Sequence, residues 1–276
     1  MPLECMTPAH PCFDDPSCYG NASDGTRTWN QQSSPYPINF CAGVTWDGTT
    51  LRTQMPYFSV GDRMLLVIMQ SDNADTSGAA NLTDAQLGPV GLWHMGRLTS
   101  YENTFGTWEA TVEPAPSPTF LQYLDGTNPA QLCNVPEYSE LTLDTDLEAA
   151  PYTPPYGGVV AFFTRRLIHN GRAVSANGAG YRGAGDNALA MSFCGTPTMN
   201  GEGLGSESHN QSSATRSTVG GGGGALDVGG GGGGGNQTAG GNGGKNNCQP
   251  DVTAQGGASA SPATFRLLLG GGGGTG

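Results

Sequence analysis

Positive charge is what this chain has least of. Charged residues make up 12% of the 276 positions, about half the usual ~25%. Lys245 is the single lysine, and 23 acids against 11 bases give a net charge of −12. Nucleic acid and anionic membrane surfaces are bound through clusters of Lys and Arg, and none occurs here, so neither is an expected partner. Long apolar runs are missing too. The longest, residues 64–69, has six residues, whereas a membrane-spanning helix needs about 20, so no membrane insertion is expected. Residues 1–30 are polar and rich in Cys and Pro, with no apolar core of a signal peptide. The reading is that the numbering begins at a processed or truncated end. No convincing amphipathic helix is present; the best short candidate, residues 184–191, carries Gly185 inside it.

Catalytic signatures are equally sparse. The histidines are His10, His94, His169 and His209, none of them in H-E-x-x-H, and no G-x-S-x-G elbow occurs. The chain is therefore read as non-enzymatic, with no catalytic residues, no metal and no cofactor. Residues 178–183 do fit G-x-G-x-x-G, and Glu202 follows at about the spacing of a ribose-binding acid. A dinucleotide site also needs a helix and a second parallel strand, and residues 184–202 are broken by Cys194, Gly195 and Pro197. Asp62, Asp72, Asn73 and Asp75 offer oxygen ligands without the order of an EF-hand, and a solvated loop is the preferred reading.

What is abundant is glycine, 46 residues against a usual share of about 7%. The glycines keep no strict three-residue period, which excludes collagen. Twenty-two aromatics argue against gross disorder. The seven cysteines are Cys5, Cys12, Cys18, Cys41, Cys133, Cys194 and Cys248, with no C-x-x-C pair. Up to three disulfides in an oxidising compartment is the simpler expectation; a metal held by Cys5, His10, Cys12 and Cys18 is the weaker alternative.

The composition changes sharply along the chain. Residues 1–156 hold 11 Gly, 17 aromatics and 18 acids against 4 bases; residues 157–276 hold 35 Gly, 5 aromatics and 5 acids against 7 bases. The first part reads as β structure. Residues 58–63 give a turn and 64–70 a buried strand. Residues 93–101 and 107–113 are candidate strands rich in Thr and aromatics, and Leu141 and Leu143 alternate with polar neighbours as in a half-buried strand. The prolines at 114, 116, 118, 151, 154 and 155 mark loops. Asn170-Gly171, between residues 157–169 and 172–175, predicts a type I′ hairpin, because both turn residues need positive φ.

Four glycine clusters follow, at 220–224, 229–235, 240–244 and 270–274. One reading is flexible linker. The other is polyglycine II, three residues per turn with every backbone polar group pointing outward. Ordering five to seven glycines costs several kcal/mol, at about 0.5–1 kcal/mol each beyond Ala, so only several runs packed side by side would offset it. Gly222, Gly232, Gly241 and Gly272 represent the packing positions, with Val219, Leu226, Val228, Phe265, Leu267, Leu268 and Leu269 covering the sides. Leu267, Leu268 and Leu269 are also candidates for contact with another subunit. Four sequons offer glycosylation sites at Asn21, Asn81, Asn210 and Asn236. Trp93, Tyr101 and Trp108 could stack on sugars.

Residues 58–70, Phe58-Ser59-Val60-Gly61-Asp62-Arg63-Met64-Leu65-Leu66-Val67-Ile68-Met69-Gln70, resemble a segment of large secreted bacterial surface proteins in which a β domain precedes glycine-rich repeats. Residues 157–162, 174–183 with Gly180-Tyr181-Arg182-Gly183, and 266–269 before the last glycine cluster look similar, so the likeness covers about residues 40–276. The glycine region is similar to those of phage tail-tip adhesins and of anaplastic-lymphoma-kinase-type receptor ectodomains, where glycine helices form a hexagonal bundle. The resemblance implies an extracellular, non-catalytic module and favours polyglycine II. The expected fold is mainly β. It has a Cys-containing segment 1–40, a β-sandwich-like domain 41–176 and a polyglycine II region 177–276. The expected role is a secreted, self-assembling subunit of a surface filament or sheath, its partner being itself. The alternative is an adhesin or receptor-type module that grips surface glycans or a receptor.

Overall fold

The computed structural model describes residues 20–30, 37–55, 57–71, 74, 81–183, 201–204, 232–235, 238–244, 253–260, 262 and 265–271. The fold is mainly β, as the sequence indicates. Its strands are β1 (Thr26–Trp29), β2 (Cys41–Trp46), β3 (Leu51–Thr53), β4 (Arg63–Ile68), β5 (Asn81–Leu82), β6 (Trp93–Thr104), β7 (Thr107–Glu113), β8 (Ala130–Asn134), β9 (Glu137–Tyr138), β10 (Glu140–Leu143), β11 (Leu147–Glu148), β12 (Phe163–Thr164), β13 (Leu167–Ile168), β14 (Val174–Ser175) and β15 (Ser259–Ala260). Two single-turn helices, α1 (Asp84–Leu87) and α2 (Pro118–Leu121), interrupt them.

Six strands close into an antiparallel barrel in the order β2-β3-β7-β6-β4-β8, with β8 pairing back to β2. The sandwich-like domain expected of residues 41–176 is thus realised as a closed barrel. Closure removes the two free edges that an open sheet would have to protect. Val44, Leu51, Met64, Leu66, Ile68, Leu98, Val112 and Leu132 fill the interior. Phe120 and Leu124 join this core from α2 and the turn after it. Ser117 caps α2 by accepting the Phe120 N–H at 3.2 Å, and Pro118 opens it. A proline fits there because the first helical N–H has no intrahelical partner.

Strand β4 is buried on both faces. Met64, Leu66 and Ile68 point into the barrel, while Val67 and Met69 join a second cluster with Leu82, Leu87, Val90, Tyr152, Tyr181, Leu204 and Ala258. That double burial is why residues 64–69 carry no polar side chain. Residues from the first 156 positions and from the glycine-rich part share this second cluster, and β15 pairs in parallel with β5.

The segment after the barrel builds a parallel ribbon. β9, β10 and β11 run alongside β12, β13 and β14, with Glu137 opposite Phe163, Leu141 opposite Leu167 and Leu147 opposite Val174. β1 pairs on the other edge of β10. Trp29, Leu141, Leu143 and Leu147 form the core beneath it. Here the sequence expectation needs correction. Asn170 (φ 49°) and Gly171 (φ 75°) are both left-handed, and the Arg172 N–H donates to the His169 carbonyl at 2.7 Å. The turn chemistry is that of type I′, but no hairpin forms. β13 and β14 pair with residues 141–148 and not with each other, because those strands supply the buried Leu141 and Leu147. The turn takes up one extra residue and the chain resumes in the same direction.

Candidate functional site

Three glycine-bearing segments, 232–235, 240–243 and 254–258, hold one another through main-chain groups. The Gly233 N–H donates to the Gly241 carbonyl at 2.9 Å, the Gly240 N–H to the Gly257 carbonyl at 2.9 Å, and the Gly257 N–H back to the Gly233 carbonyl at 2.8 Å. Each segment donates to the next, so the three form a closed triangle. The Gly243 N–H adds a bond to the Ala254 carbonyl at 2.8 Å, and Asn242 Oδ1 accepts from the Gly256 N–H at 2.9 Å. Side chains are excluded by contact. A Cβ on Gly232 would press on the Gln255 carbonyl, one on Gly240 on the Gly233 carbonyl, and one on Gly256 on the Gly240 carbonyl, each closer than the 3.0 Å that real Cβ atoms keep. Gly241 differs, since a Cβ there meets no described atom within 4 Å.

Residues 265–271 tie this triangle to the barrel. The Leu267 N–H donates to the Gly91 carbonyl at 3.0 Å, the Tyr181 N–H to the Gly270 carbonyl at 2.8 Å, and the Gly271 N–H to the Gly235 carbonyl at 2.7 Å. The segment runs over glycines at close range. A Cβ on Gly91 would lie 2.6 Å from Leu268 Cδ2, and one on Gly158 would lie 2.7 Å from Leu269 Cδ2. Leu267, Leu268 and Leu269 therefore pack against their own chain, on the second cluster. Arg266 is the polar anchor. Its Nε donates to Asp84 Oδ1 at 2.7 Å, and its Nη1 to the Gly88 and Val90 carbonyls, both at 2.7 Å.

A buried polar network lies under the same junction. Glu202, its side chain 3% exposed, accepts from the Arg182 Nε and main-chain N–H, both at 3.0 Å. Gln70 Nε2 donates to Glu202 Oε1 at 3.3 Å and to the Gly203 carbonyl at 2.8 Å, and the Tyr152 hydroxyl donates to Gln70 Oε1 at 3.3 Å. Tyr181 sits edge-on to Tyr152 at 5.3 Å and donates its hydroxyl to the Met69 carbonyl. Burial pushes both phenols above their ordinary range; the Glu202 carboxylate adds to the rise at each, and Tyr152 adds to it at Tyr181. The acid that spacing would assign to a ribose is thus occupied by Arg182 from the glycine motif itself. The network is a structural joint.

The barrel wall carries a recess of about 660 Å³ between β2, β3, the loop before β8 and the turn at 153–156. Met55, Pro155 and Tyr156 line it with apolar groups and Arg52 and Gln54 with polar ones, while the lining residues Val44, Thr53 and Asn128 are themselves almost fully buried. Asn128 is pinned, its Nδ2 donating to the Tyr123 carbonyl at 3.0 Å. Arg52 at the rim is neutralised by Asp47 at 2.8 Å and Glu109 at 3.3 Å. Thr49 and Thr50 hydrogen bonds, with Arg52 nearby, hold the Asp47 carboxyl down at about 2.

Cys41 and Cys133 stand opposite each other on β2 and β8 and form a disulfide. Cys5, Cys12, Cys18, Cys194, Cys248, Gly222, Gly272, Asn210 and Asn236 lie outside the described residues, as do His10, Asp72, Asn73 and Asp75. Asp62 closes the 58–63 turn, accepting the Ser59 N–H at 2.8 Å. Among the described residues no group of three His, Cys, Asp or Glu side chains could hold a metal ion, and no helix is long and apolar enough to cross a membrane. Asn21 is exposed and its Oδ1 accepts the Ser23 N–H at 2.9 Å. Asn81 Oδ1 accepts from the Ser259 hydroxyl. The aromatic trio does not form one platform. Trp93 meets Phe265 edge-on at 6.0 Å, while Tyr101 stacks on Trp108 at 4.7 Å and donates its hydroxyl to the Met55 carbonyl. Burial pushes the Tyr101 phenol up to about 12.

One ion cluster was not visible in the sequence. Glu137, its side chain 1% exposed, takes Arg63 Nε at 2.7 Å and Arg97 Nη2 at 2.7 Å. Arg63 also lies over the Phe163 ring at 4.8 Å. Only the barrel and the ribbon together bring these residues into contact.

No protein-family model, no curated protein and no solved structure matches the chain.

Proposed function

We propose that this protein is a non-enzymatic, secreted structural protein, a self-assembling subunit of an extracellular surface filament or sheath. The observation that carries the reading is the closed triangle of main-chain hydrogen bonds through Gly233, Gly241 and Gly257. A slack tether has no reason to exclude Cβ atoms, whereas chains packed through their amides do. In this reading the triangle is the seed of a polyglycine II bundle. The open side at Gly241 is where a further glycine segment adds, from this chain or from another copy. The Cys41–Cys133 disulfide and the scarcity of charge suit endurance outside the cell. Negative-stain electron microscopy with light scattering of the purified protein tests the proposal. Long regular polymers are expected, and a monomer at every concentration overturns it.

A second reading is an adhesin or receptor-type binding module, with the glycine segments as rigid scaffold. The recess in the barrel wall favours it, because loops on a stiff frame commonly carry recognition.

A further inference from the structure

We propose that the outer edge of the parallel ribbon, residues 163–175, docks an acidic, extended segment of another polypeptide, which adds to it as a further parallel strand. The inference stands apart from self-assembly. Charge is sorted between the layers of the ribbon. Residues 137–148 carry five acids and no base, whereas residues 163–175 carry Arg165, Arg166 and Arg172 and no acid. Against a net charge of −12 over the chain, this edge has the opposite sign. The two layers meet through polar groups of that kind. Arg166 Nη1 donates to Glu140 Oε2 at 2.9 Å, Asn170 Nδ2 to Asp144 Oδ1 at 3.4 Å, and the Ala173 N–H to Asp146 Oδ1 at 3.0 Å. Arg165 and Arg172 are exposed, and among the described residues neither forms an ion pair.

The second observation is an unfinished column of side chains on an open edge. Leu141 and Leu147 are fully buried, yet their register partners Leu167 and Val174 remain 42% and 44% exposed. Among the described residues Leu167 and Val174 have a strand on one side only: β13 ends the order β1-β10-β13, and β14 pairs with β11 alone. In a parallel ladder successive residues turn their N–H and C=O groups to opposite edges. The Leu141 N–H donates to the Arg166 carbonyl at 2.9 Å and the Leu147 N–H to the Ala173 carbonyl at 2.8 Å, so the main-chain groups of Leu167 and Val174 face away from the layer beneath. An extended segment added there satisfies them, covers both apolar side chains and sets its acids beside Arg165 and Arg172. Main-chain bonds give such an addition its affinity, and alternate side chains give it specificity. A second copy fits less well. The opposite edge of the ribbon, β1 with the turn before it, brings one acid, Asp24, and one base, Arg27, and does not answer the arginines.

The test uses the full chain and a synthetic peptide of residues 138–149, capped at both ends, which carries the acidic pattern that this edge already meets on its inner side. A control peptide has Gln and Asn in place of the acids. Fluorescence anisotropy reads binding, and amide exchange reads the place. The acidic peptide is expected to bind more tightly than the control and to slow exchange at Leu167 and Val174. Arg165→Glu with Arg172→Glu should weaken it by about threefold to tenfold, two exposed ion pairs being at stake. The melting temperature of that variant should be unchanged, since neither arginine has an acidic partner among the described residues. No binding at about 1 mM peptide, the concentration that half-fills a millimolar site, overturns the proposal. So does binding that the charge reversal leaves unaltered; the arginines then only guard the edge against pairing. Slow exchange at Leu167 and Val174 without peptide also overturns it. At every dilution it would mean that the chain covers its own edge, and only at high concentration that a second copy does. Polymers seen by microscopy bear on self-assembly alone, so either proposal can fail without the other.

Discussion

The Gly257 amide donates to the Gly233 carbonyl at 2.8 Å, while Gly233 donates its own amide to Gly241. One residue thereby joins two neighbours, a close approach that leaves no room for side chains between the segments. Gly232→Ala should therefore be costly and Gly241→Ala mild. The first places a methyl against the Gln255 carbonyl, the second places it where no described atom lies within 4 Å. Overpacking of this kind costs about 1–3 kcal/mol. Denaturant unfolding of the two variants checks it, and equal stability of both would argue for a tether.

Reduction tests the barrel seam. Cys41 and Cys133 are separated by 92 residues, so their bond restricts a long loop in the unfolded chain. Loss of a native disulfide typically costs about 2–5 kcal/mol. Cys41→Ser with Cys133→Ser should lower the unfolding midpoint accordingly. Identical unfolding of variant and parent would show that the bond contributes nothing.

The barrel strands were legible where their pattern was local. Residues 107–113 match β7, and residues 64–70 and 93–101 overlap β4 and β6. Double burial made β4 a continuous apolar run, and Leu141 and Leu143 alternate as β10 requires. Short strands such as β3 carry too few residues to show a period. The parallel ribbon was hidden for a different reason: Asn170-Gly171 does make its turn, but residues far away in sequence capture the strands on either side. The Arg182–Glu202 pair was visible only as a spacing, and it took the fold to show that the acid meets the arginine. The glycine clusters announced close packing without saying which carbonyl meets which amide. The recess left no sequence signal, because β2, the end of β3, the loop before β8 and the 153–156 turn meet only in the fold.

Arg266 should act as the clasp of the 265–271 segment. Its side chain is 6% exposed and bonds Asp84, Gly88 and Val90. Arg266→Met keeps much of the apolar stem and removes the guanidinium donors, leaving the Asp84, Gly88 and Val90 carbonyls and the Asp84 carboxylate without this partner. A loss of about 2–3 kcal/mol is expected, as for hydrogen bonds to a charged group. Amide exchange at Leu267 and Gly271 should rise before exchange in β4 does. Unchanged exchange at both positions would mean that the leucines alone hold the segment.

Glu137→Gln should be among the most damaging single changes where the ribbon meets the barrel. It leaves Arg63 and Arg97, 14% and 32% exposed, facing a neutral amide where a buried carboxylate had been. Breaking a buried pair from one side costs about 3–5 kcal/mol, and the partial exposure of Arg97 places this case at the lower end. Chemical unfolding reads the loss. High salt should not reproduce it, because a buried pair is screened far less than a surface one.

Alkaline pH should loosen the joint between barrel and glycine segments. The Tyr152 and Tyr181 phenols lie above their ordinary value of 10.0 in the folded chain, chiefly through burial. A raised folded value means that the native state keeps its proton where the unfolded state has lost it. The stability from these two phenols is therefore complete below pH 10 and declines as pH rises from there toward the folded values. The unfolding midpoint should hold steady up to about pH 10 and then fall, with phenolate absorbance of the two residues appearing together with unfolding. In Tyr181→Phe the fall should be shallower, since one of the two protons is gone from the balance. The same variant should be less stable at neutral pH by about 0.5–1.5 kcal/mol, the net worth of the lost bond to the Met69 carbonyl. If both phenols ionise near pH 10 with the protein still folded, the junction is open to water, and the joint assigned to Gln70, Arg182 and Glu202 does not exist in solution.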